Sequence, residues 1–404
     1  MMKHRAYTSV FRAHFSALAL SFVALTTWAQ EPTLTWLGLP QGNYSRSIAW
    51  DISADGKVVV GYGLVQSDYP YDSRGFLWTR DRGFVLLNSP SGVAYEAIAI
   101  SQDGLTTVGY RYRIGGGSPF DATQWTLAGG PLDLGVLLDG GVPIAWDVSY
   151  DGSVIVGRRT SNLQAFIWRI DSGLTYLGTL GGNFSEAFGV SADGSIVVGW
   201  AQDSSGKRRA FRWTEQTRMQ NLGAAVLIGN TSFSYDNSEA WGISPDGNVI
   251  VGVAYDDFNQ AVGFRNILRG TRRVNISLGD PPKGFTGVYP RRTNQNGSII
   301  VGSMRKSDGT FRAMRWTQTQ EGGILEDLNV TYASLLQGGY LEWASDITPD
   351  GRYIVGDGFK DGKPCGFILD TGVCNLPADV NGDGIVNDQD LLEVLFEFGN
   401  RCGQ

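Results

Sequence analysis

The residues best suited to chemistry lie near the C-terminus, in the twelve positions 379–390 (DVNGDGIVNDQD). Oxygen-bearing side chains occupy the first, third, fifth and twelfth places, and glycine stands at the sixth place, where a calcium loop turns sharply. We predict that this loop binds one calcium ion, with Asn387 acting through its side chain or a bridging water and Ile385 through its carbonyl. The full ligand set is Asp379, Asn381, Asp383, Ile385, Asn387 and Asp390. The alternative interpretation is a solvated Asn/Asp/Gly turn followed by a hydrophobic tail.

Catalysis has little support in the sequence. Both histidines, His4 and His14, fall within the first 29 residues, which have the features of an export signal. A Ser-His-Asp or Cys-His arrangement and the histidine-based zinc motifs therefore cannot form in the rest of the chain. Two carboxylates would suffice for glycoside hydrolysis, but the adjacent acids at 256–257 and 326–327 are best explained as solvated positions. We predict a non-catalytic binding or scaffold protein without catalytic residues; the alternative is a secreted carbohydrate-active enzyme, a glycosidase or lyase.

The elements that must position any site are set by a repeat. Near-copies of Ala187–Trp200 (AFGVSADGSIVVGW) run through most of the chain, with spacings between 42 and 54 residues. The Val-Gly dipeptide of each copy ends at Gly61, Gly109, Gly157, Gly199, Gly252, Gly302 and Gly356. A period of about 40–50 residues is typical of a four-stranded propeller blade.

Most repeats contain four short β-prone runs. The first two flank an Asp-Gly dipeptide in six of the seven repeats, and Asn296-Gly297 in the sixth; this dipeptide favours a tight hairpin turn, so the recurring aspartates are interpreted as turn residues. The third run carries a tryptophan, interpreted as packing between blades, at Trp78, Trp125, Trp168, Trp213 and Trp316. The tryptophans of the first, innermost run either pack between blades or line a central channel: these are Trp50, Trp146 and Trp241.

The N-terminal run resembles a displaced fourth strand. Residues 34–53 (LTWLGLPQGNYSRSIAWDIS) match residues 174–191 (LTYLGTLGGNFSEAFGVS), whereas the seventh repeat has no clear fourth run. Pairing of Leu34–Gly38 with the last repeat would leave no free sheet edge. We predict an all-β, seven-bladed β-propeller of four-stranded antiparallel blades, closed by an N-terminal strand, over residues 30–374.

The predicted binding surface is one face of the ring. The Asp-Gly turns share one face, and the longer, more varied loops that leave the Val-Gly dipeptides share the opposite face, which we call the long-loop face. We expect a protein or glycan partner there, contacted by Tyr69, Tyr71, Arg111, Tyr112, Arg113, Lys207 and Arg208. A simple solvated loop surface is the alternative for each of these residues.

Two resemblances follow from these motifs. The combination A-x-G-[IV]-S-x-D-G-x-x-x-V-G, then A-F-x-W, then L-G, resembles the bacterial extracellular HAF-repeat family over roughly residues 34–370. The tail, 375–404, resembles one loop-helix half of a type I dockerin, an EF-hand-like calcium module. The resemblance implies a cohesin-like or cell-surface partner, although a full dockerin has two such halves.

The remaining expectations concern location and cysteines. Residues 1–29 combine Lys3, Arg5 and Arg12 with a short apolar run and a small-residue cleavage site, so we predict a signal peptide and an exported protein, extracellular, cell-surface or periplasmic, without a membrane span. Loss of those three basic residues takes the net charge from −7 to −10, which disfavours nucleic-acid binding. We expect a disulfide between Cys374 and Cys402, with a Cys365–Cys374 bond as the alternative.

Overall fold

The computed structural model describes residues 31–67, 72–87, 92–114, 121–126, 129–134, 143–160, 163–256, 260–320 and 322–373. These residues form seven β-sheets arranged as the blades of a propeller, which confirms the predicted all-β fold and the number of blades. The first strand of each blade contacts the first strands of both neighbouring blades, including those of blades one and seven. The first strands therefore surround the axis, and the later strands of each blade lie further out.

The first four blades share one plan, in which four strands follow one another from the axis outward. Blade one has β2 (Tyr44–Ile52), β3 (Val58–Val65), β4 (Ser73–Thr79) and β5 (Gly83–Leu86). Blade two has β6 (Val93–Ile100), β7 (Thr106–Arg113), β8 (Asp121–Thr126) and β9 (Gly129–Asp133). Blade three has β10 (Pro143–Val148), β11 (Val154–Arg159), β12 (Gln164–Arg169) and β13 (Gly173–Tyr176). Blade four has β14 (Gly181–Val190), β15 (Ile196–Asp203), β16 (Arg208–Thr214) and β17 (Arg218–Gly223).

The last three blades depart slightly from this plan. Blade five has β20 (Asn237–Ile243), β21 (Ile250–Tyr255), β22 (Ala261–Arg269) and β23 (Arg272–Ser277). Its sheet is extended by β18 (Ala225–Ile228) and β19 (Thr231–Ser234), because β18 pairs in parallel with β23. Blade six has β24 (Phe285–Thr293), β25 (Ile299–Lys306), β26 (Phe311–Thr317) and β27 (Ile324–Asp327), followed by the short helix α1 (Leu328–Thr331).

Blade seven combines both ends of the described chain. It has β28 (Tyr340–Ile347), β29 (Tyr353–Lys360) and β30 (Lys363–Asp370), and its fourth strand is β1 (Thr33–Gly38). Strand β1 runs antiparallel to β30, with Thr33 opposite Asp370. Leu37 is buried against blade one, so this strand also contributes to the packing between the first and last blades.

The Asp-Gly turns have the geometry expected of turn residues. In blade one, the Asp55 carboxylate accepts hydrogen bonds from the Ser53 hydroxyl at 2.7 Å and from the Lys57 N–H at 3.1 Å. Gly56 has a φ of 71°, a conformation that favours glycine. The aspartates therefore hold the hairpins, as interpreted from the sequence.

The third-strand tryptophans belong to the core, again as interpreted. Their exposed fractions are between 1% and 8%. Separate apolar clusters lie between successive blades; one of them joins Trp213 of blade four to Ile167 of blade three. Packing between blades therefore supplies the apolar core of the ring.

Candidate functional site

A β-bulge in the first strand of each blade turns one side chain toward the axis. In blade one the register shifts between Ala49 and Asp51, so Trp50 has no partner on β3. The carbonyl group before the bulge fills the space of a side chain on the second strand. A Cβ atom at Gly199 would lie 1.9 Å from the backbone carbonyl oxygen of Glu186, which explains why the Val-Gly glycine recurs in every repeat.

The bulge residues of six blades enclose a cavity of about 230 Å³ on the axis, which we call the axial chamber. They are Trp50, Ile98, Trp146, Phe188, Trp241 and Arg291. The three tryptophans thus line a central channel, which resolves the alternatives left open by the sequence. In blade seven the bulge residue is the small, buried Ser345.

The end of the chamber nearer the Asp-Gly turns is polar. The Asp51 carboxylate accepts a hydrogen bond from the Ile100 N–H of the next blade at 2.8 Å, and Asp147 accepts one from the Val190 N–H at 2.9 Å. Burial and the neighbouring Asp346 raise the pKa of Asp51 well above its usual value. Burial also raises the pKa of Asp147, to about 6. These acids connect adjacent blades through backbone amides.

A larger groove, of about 870 Å³, opens on the long-loop face over blades three to six. Its walls combine aromatic rings with charged side chains; its aromatic members include Phe184, Phe188, Trp200, Tyr255 and Tyr289. Phe184 is 37% exposed, whereas Trp200 is only 6% exposed and lies beneath the Arg208 guanidinium. Phe188 lines both the groove and the axial chamber, so the two are neighbours at that side chain.

Two glutamates, Glu186 and Glu239, form the polar centre of the groove. Glu186 accepts hydrogen bonds from the indole N–H groups of Trp146 at 2.9 Å and Trp200 at 3.2 Å, and pairs with Arg158 at 3.0 Å. Burial raises the pKa of Glu186, and the charge of Glu239 adds to this effect, whereas Arg158 and both indoles oppose it.

Glu239 is held in a similar way. It accepts from the Trp241 indole at 3.0 Å and pairs with Arg208 at 2.6 Å. Burial and the Glu239 charge raise the pKa of the neighbouring Tyr255. The groove therefore presents fixed, paired charges beside aromatic rings.

The predicted ligand-face residues have different surroundings. Arg208 lines the groove, and Lys207 beside it pairs with Asp236. Tyr112 instead belongs to blade two, where its hydroxyl lies 2.8 Å from the Ser73 hydroxyl and donates to Glu96 at 3.2 Å. Arg111 lies next to it at the end of β7. Tyr69, Tyr71 and the side chain of Arg113 lie outside the described residues.

The other predicted sites are described only in part. The six predicted calcium ligands, Cys374 and Cys402, and the proposed signal all lie outside the described residues. Cys365 is buried in β30. The acids at 326–327 are not simply solvated, because Glu326 pairs with Arg315 at 2.5 Å and the Asp327 side chain accepts from the Asn329 N–H at 2.9 Å, capping α1.

The groove glutamates were missed by the sequence analysis although a signal existed. Glu96, Glu186 and Glu239 all immediately precede the alanine of the repeat motif, where blades one and three have isoleucine. A glutamate recurring at a place otherwise filled by apolar residues indicates a buried polar site.

No helix among the described residues is long and apolar enough to cross a membrane. Within the same residues, no group of three or more His, Cys, Asp or Glu side chains is arranged to hold a metal ion. The predicted calcium loop lies beyond that part of the chain.

Comparison with known proteins shows the fold. No protein-family profile matches the chain, and no curated protein sequence matches it, so the resemblances to HAF-repeat and dockerin families stay predictions. Among solved structures, an oligogalacturonate lyase from Vibrio parahaemolyticus is similar over 85% of this chain and 94% of its own, with 13% identity and a TM-score of 0.50. The Cps50 (Swd1) β-propeller domain of Myceliophteria thermophila is similar over 83% and 99%, with 10% identity and a TM-score of 0.50. TolB from Acinetobacter baumannii is similar over 78% and 81%, with 15% identity and a TM-score of 0.42. At such low identity the two likenesses with a TM-score of 0.50 show that the chain is a β-propeller and nothing finer.

Proposed function

We propose that this protein is an exported, non-catalytic binding or scaffold propeller whose long-loop face binds a glycan or protein partner. The observation that carries the proposal is the groove of about 870 Å³, with its aromatic walls and fixed charged pairs. Its concave shape favours a glycan, because small ligands bind in clefts of about 300–1,000 Å³. A protein partner would instead cover a broad surface of about 800 Å². Glu and Arg side chains can form hydrogen bonds with sugar hydroxyl groups, and aromatic rings can pack against the apolar faces of sugar rings.

A test of this proposal compares two exposed phenylalanines. Phe184→Ala removes an aromatic ring from the groove and is expected to weaken binding on a glycan array, or in a pull-down, at least tenfold. Phe233→Ala is the matched control, because Phe233 is 47% exposed on β19 and lies outside the groove.

The same measurements also test whether the ligand binds to the long-loop face or to the opposite face. Tyr150 is 48% exposed at the Asp-Gly turn of blade three, on the opposite side of the ring. Binding that survives Phe184→Ala but is lost in Tyr150→Ala would contradict the choice of the long-loop face.

The second candidate function is a carbohydrate-active enzyme, a glycosidase or lyase. Glu186 and Glu239 favour it, because two nearby carboxylates in a groove are the minimum for glycoside hydrolysis. Their contacts favour the binding role instead: each is already engaged by a tryptophan N–H and an arginine. Turnover of a polysaccharide by the purified protein, abolished by Glu186→Gln, would establish the enzyme.

For the tail, we propose one calcium ion bound by Asp379, Asn381, Asp383, Ile385, Asn387 and Asp390, and a role in attachment or sorting. The support is the twelve-place ligand spacing of the sequence. The apolar residues that follow, including Leu391, Leu395 and Phe398, favour a helix covered by a partner of the cohesin-like or cell-surface kind.

A further inference from the structure

Blade six differs from the other blades at the positions that face the axis. Its bulge residue is Arg291, where blades one to five carry tryptophan, phenylalanine or isoleucine, and Arg292 follows where the other blades have aspartate, alanine or glycine. These positions are occupied by arginine in this blade alone, so the repeat architecture does not require the charges.

The two arginines have different surroundings. Arg292 donates a hydrogen bond to the Trp241 carbonyl at 2.6 Å and faces Asp147 at 3.9 Å. Across the described part of the chain, the Arg291 side chain has neither a hydrogen bond nor an ion pair within 4 Å. Its guanidinium lies instead over the ring of Trp50, 4.2 Å from the ring centroid. Burial and the neighbouring charge of Arg292 lower the pKa of Arg291 to about 9, and the more distant charges of Asp346, Asp357 and Asp51 oppose this effect only in part.

Arg291 is half-buried and lines a largely apolar cavity, so its charge is poorly solvated there, and one anionic ligand would relieve that cost. The guanidinium fork matches a carboxylate, which it can bind through two parallel hydrogen bonds. A singly charged anion is favoured over a phosphate dianion, because Asp51, Asp147 and Asp346 lie around Arg292 on the adjacent side of the chamber.

The remaining walls specify the rest of the ligand. Trp50, Trp146, Trp241 and Phe188 present aromatic surface to a cavity of about 230 Å³. An apolar cavity of about 150 Å³ is already large enough for benzene. The chamber therefore has room for one ring and a short acidic side chain.

We propose that the axial chamber binds a small aromatic monocarboxylate, with its carboxylate on Arg291 and its ring among the tryptophans. The site is separate from the proposed partner-binding groove. The two sites share Phe188 as a lining residue.

The direct test titrates the full mature chain with benzoate, phenylacetate and indole-3-acetate. Binding is measured by calorimetry and by the change in tryptophan fluorescence, and the matching neutral amides serve as ligand controls. At least one acid is expected to bind tenfold or more tightly than its amide. Equal affinity for acids and amides, or no binding at millimolar concentration, would overturn the proposal.

Variants then locate the site. Arg291→Gln is expected to weaken binding of the acid at least tenfold, whereas Arg305→Gln, an exposed arginine of the same blade, should bind as the parent does. If Arg291→Gln does not fold, Ile98→Trp fills the chamber without changing its charge and is expected to abolish binding. Unchanged binding in a folded Arg291→Gln or Ile98→Trp variant would place the ligand elsewhere and contradict the proposal. Phe184→Ala, the groove variant, should leave acid binding unchanged, so failure at one site does not decide the other.

Discussion

At the scale of single residues, the repeat motif reflects the requirements of the backbone at the bulge and the turn, and not those of a binding or catalytic site. The glycine of each Val-Gly pair is required because the carbonyl before the bulge occupies the space of its side chain. The same bulge turns a side chain to the axis, so one shared geometry leaves one variable position in each blade. Variation at that position is what makes the axial chamber.

The first prediction at this scale concerns Gly199. Gly199→Ala places a Cβ atom 1.9 Å from the backbone carbonyl oxygen of Glu186, and the resulting overpacking is expected to lower the free energy of unfolding by about 3 kcal/mol. Gly189→Ala in the same blade is the control, because its nearest neighbour is a Val198 methyl group at 3.1 Å, which can shift. Urea denaturation measures both; an equal loss in the two variants would contradict the role assigned to the bulge.

At the scale of strands, the sequence predicts the elements that repeat and misses those that do not. The Asp-Gly hairpins and the third-strand tryptophans were predicted correctly because six copies of the dipeptide and five of the tryptophan support one interpretation. Strands β18 and β19 were not predicted, since residues 225–234 have no counterpart in other repeats. They are held on blade five partly by Asn275, whose side-chain amide donates to the Leu222 and Ala225 carbonyls at 3.1 and 3.0 Å.

The groove was missed for a related reason. It is built where side chains of blades three to six converge, and a repeat alignment shows equivalent positions without showing which of them meet across blades. Of the predicted ligand-face residues with described side chains, only Arg208 lines the groove, because the pattern identified loops and the groove is formed largely by strand ends.

The prediction at this scale concerns β1. Removal of residues 31–38 leaves the edge of β30 unpaired and removes the buried Leu37, so we expect loss of several kcal/mol of stability and increased aggregation. Thermal unfolding and light scattering of the shortened chain measure the effect. A synthetic peptide of residues 31–40 should partly restore the unfolding temperature, and an unchanged temperature after the deletion would show that β1 does not hold the ring together.

At the scale of the whole molecule, we expect calcium to bind the tail and to leave the stability of the propeller unchanged. Calorimetric titration of residues 30–404 should show one calcium ion bound, and Asp383→Ala should abolish binding, because three of the proposed ligands are carboxylates whose mutual repulsion the ion relieves. Asp361→Asn, at a turn where the side chain is 79% exposed, is the control for loss of a surface charge. A chelator should leave the thermal unfolding of the propeller unchanged. Calcium binding retained in Asp383→Ala would show that the ion binds elsewhere.

The pairing of Thr33 with Asp370 has a consequence for the order in which the molecule folds. The strands of blades one to six each come from one continuous segment, so each of these sheets needs only local contacts. Blade seven must bring together strands from opposite ends of the described chain, and such distant contacts form late because closing a long loop is entropically unfavourable. Among the described strands β1 is synthesised first and its partner β30 last. The final step of folding is therefore the pairing of β1 with β30.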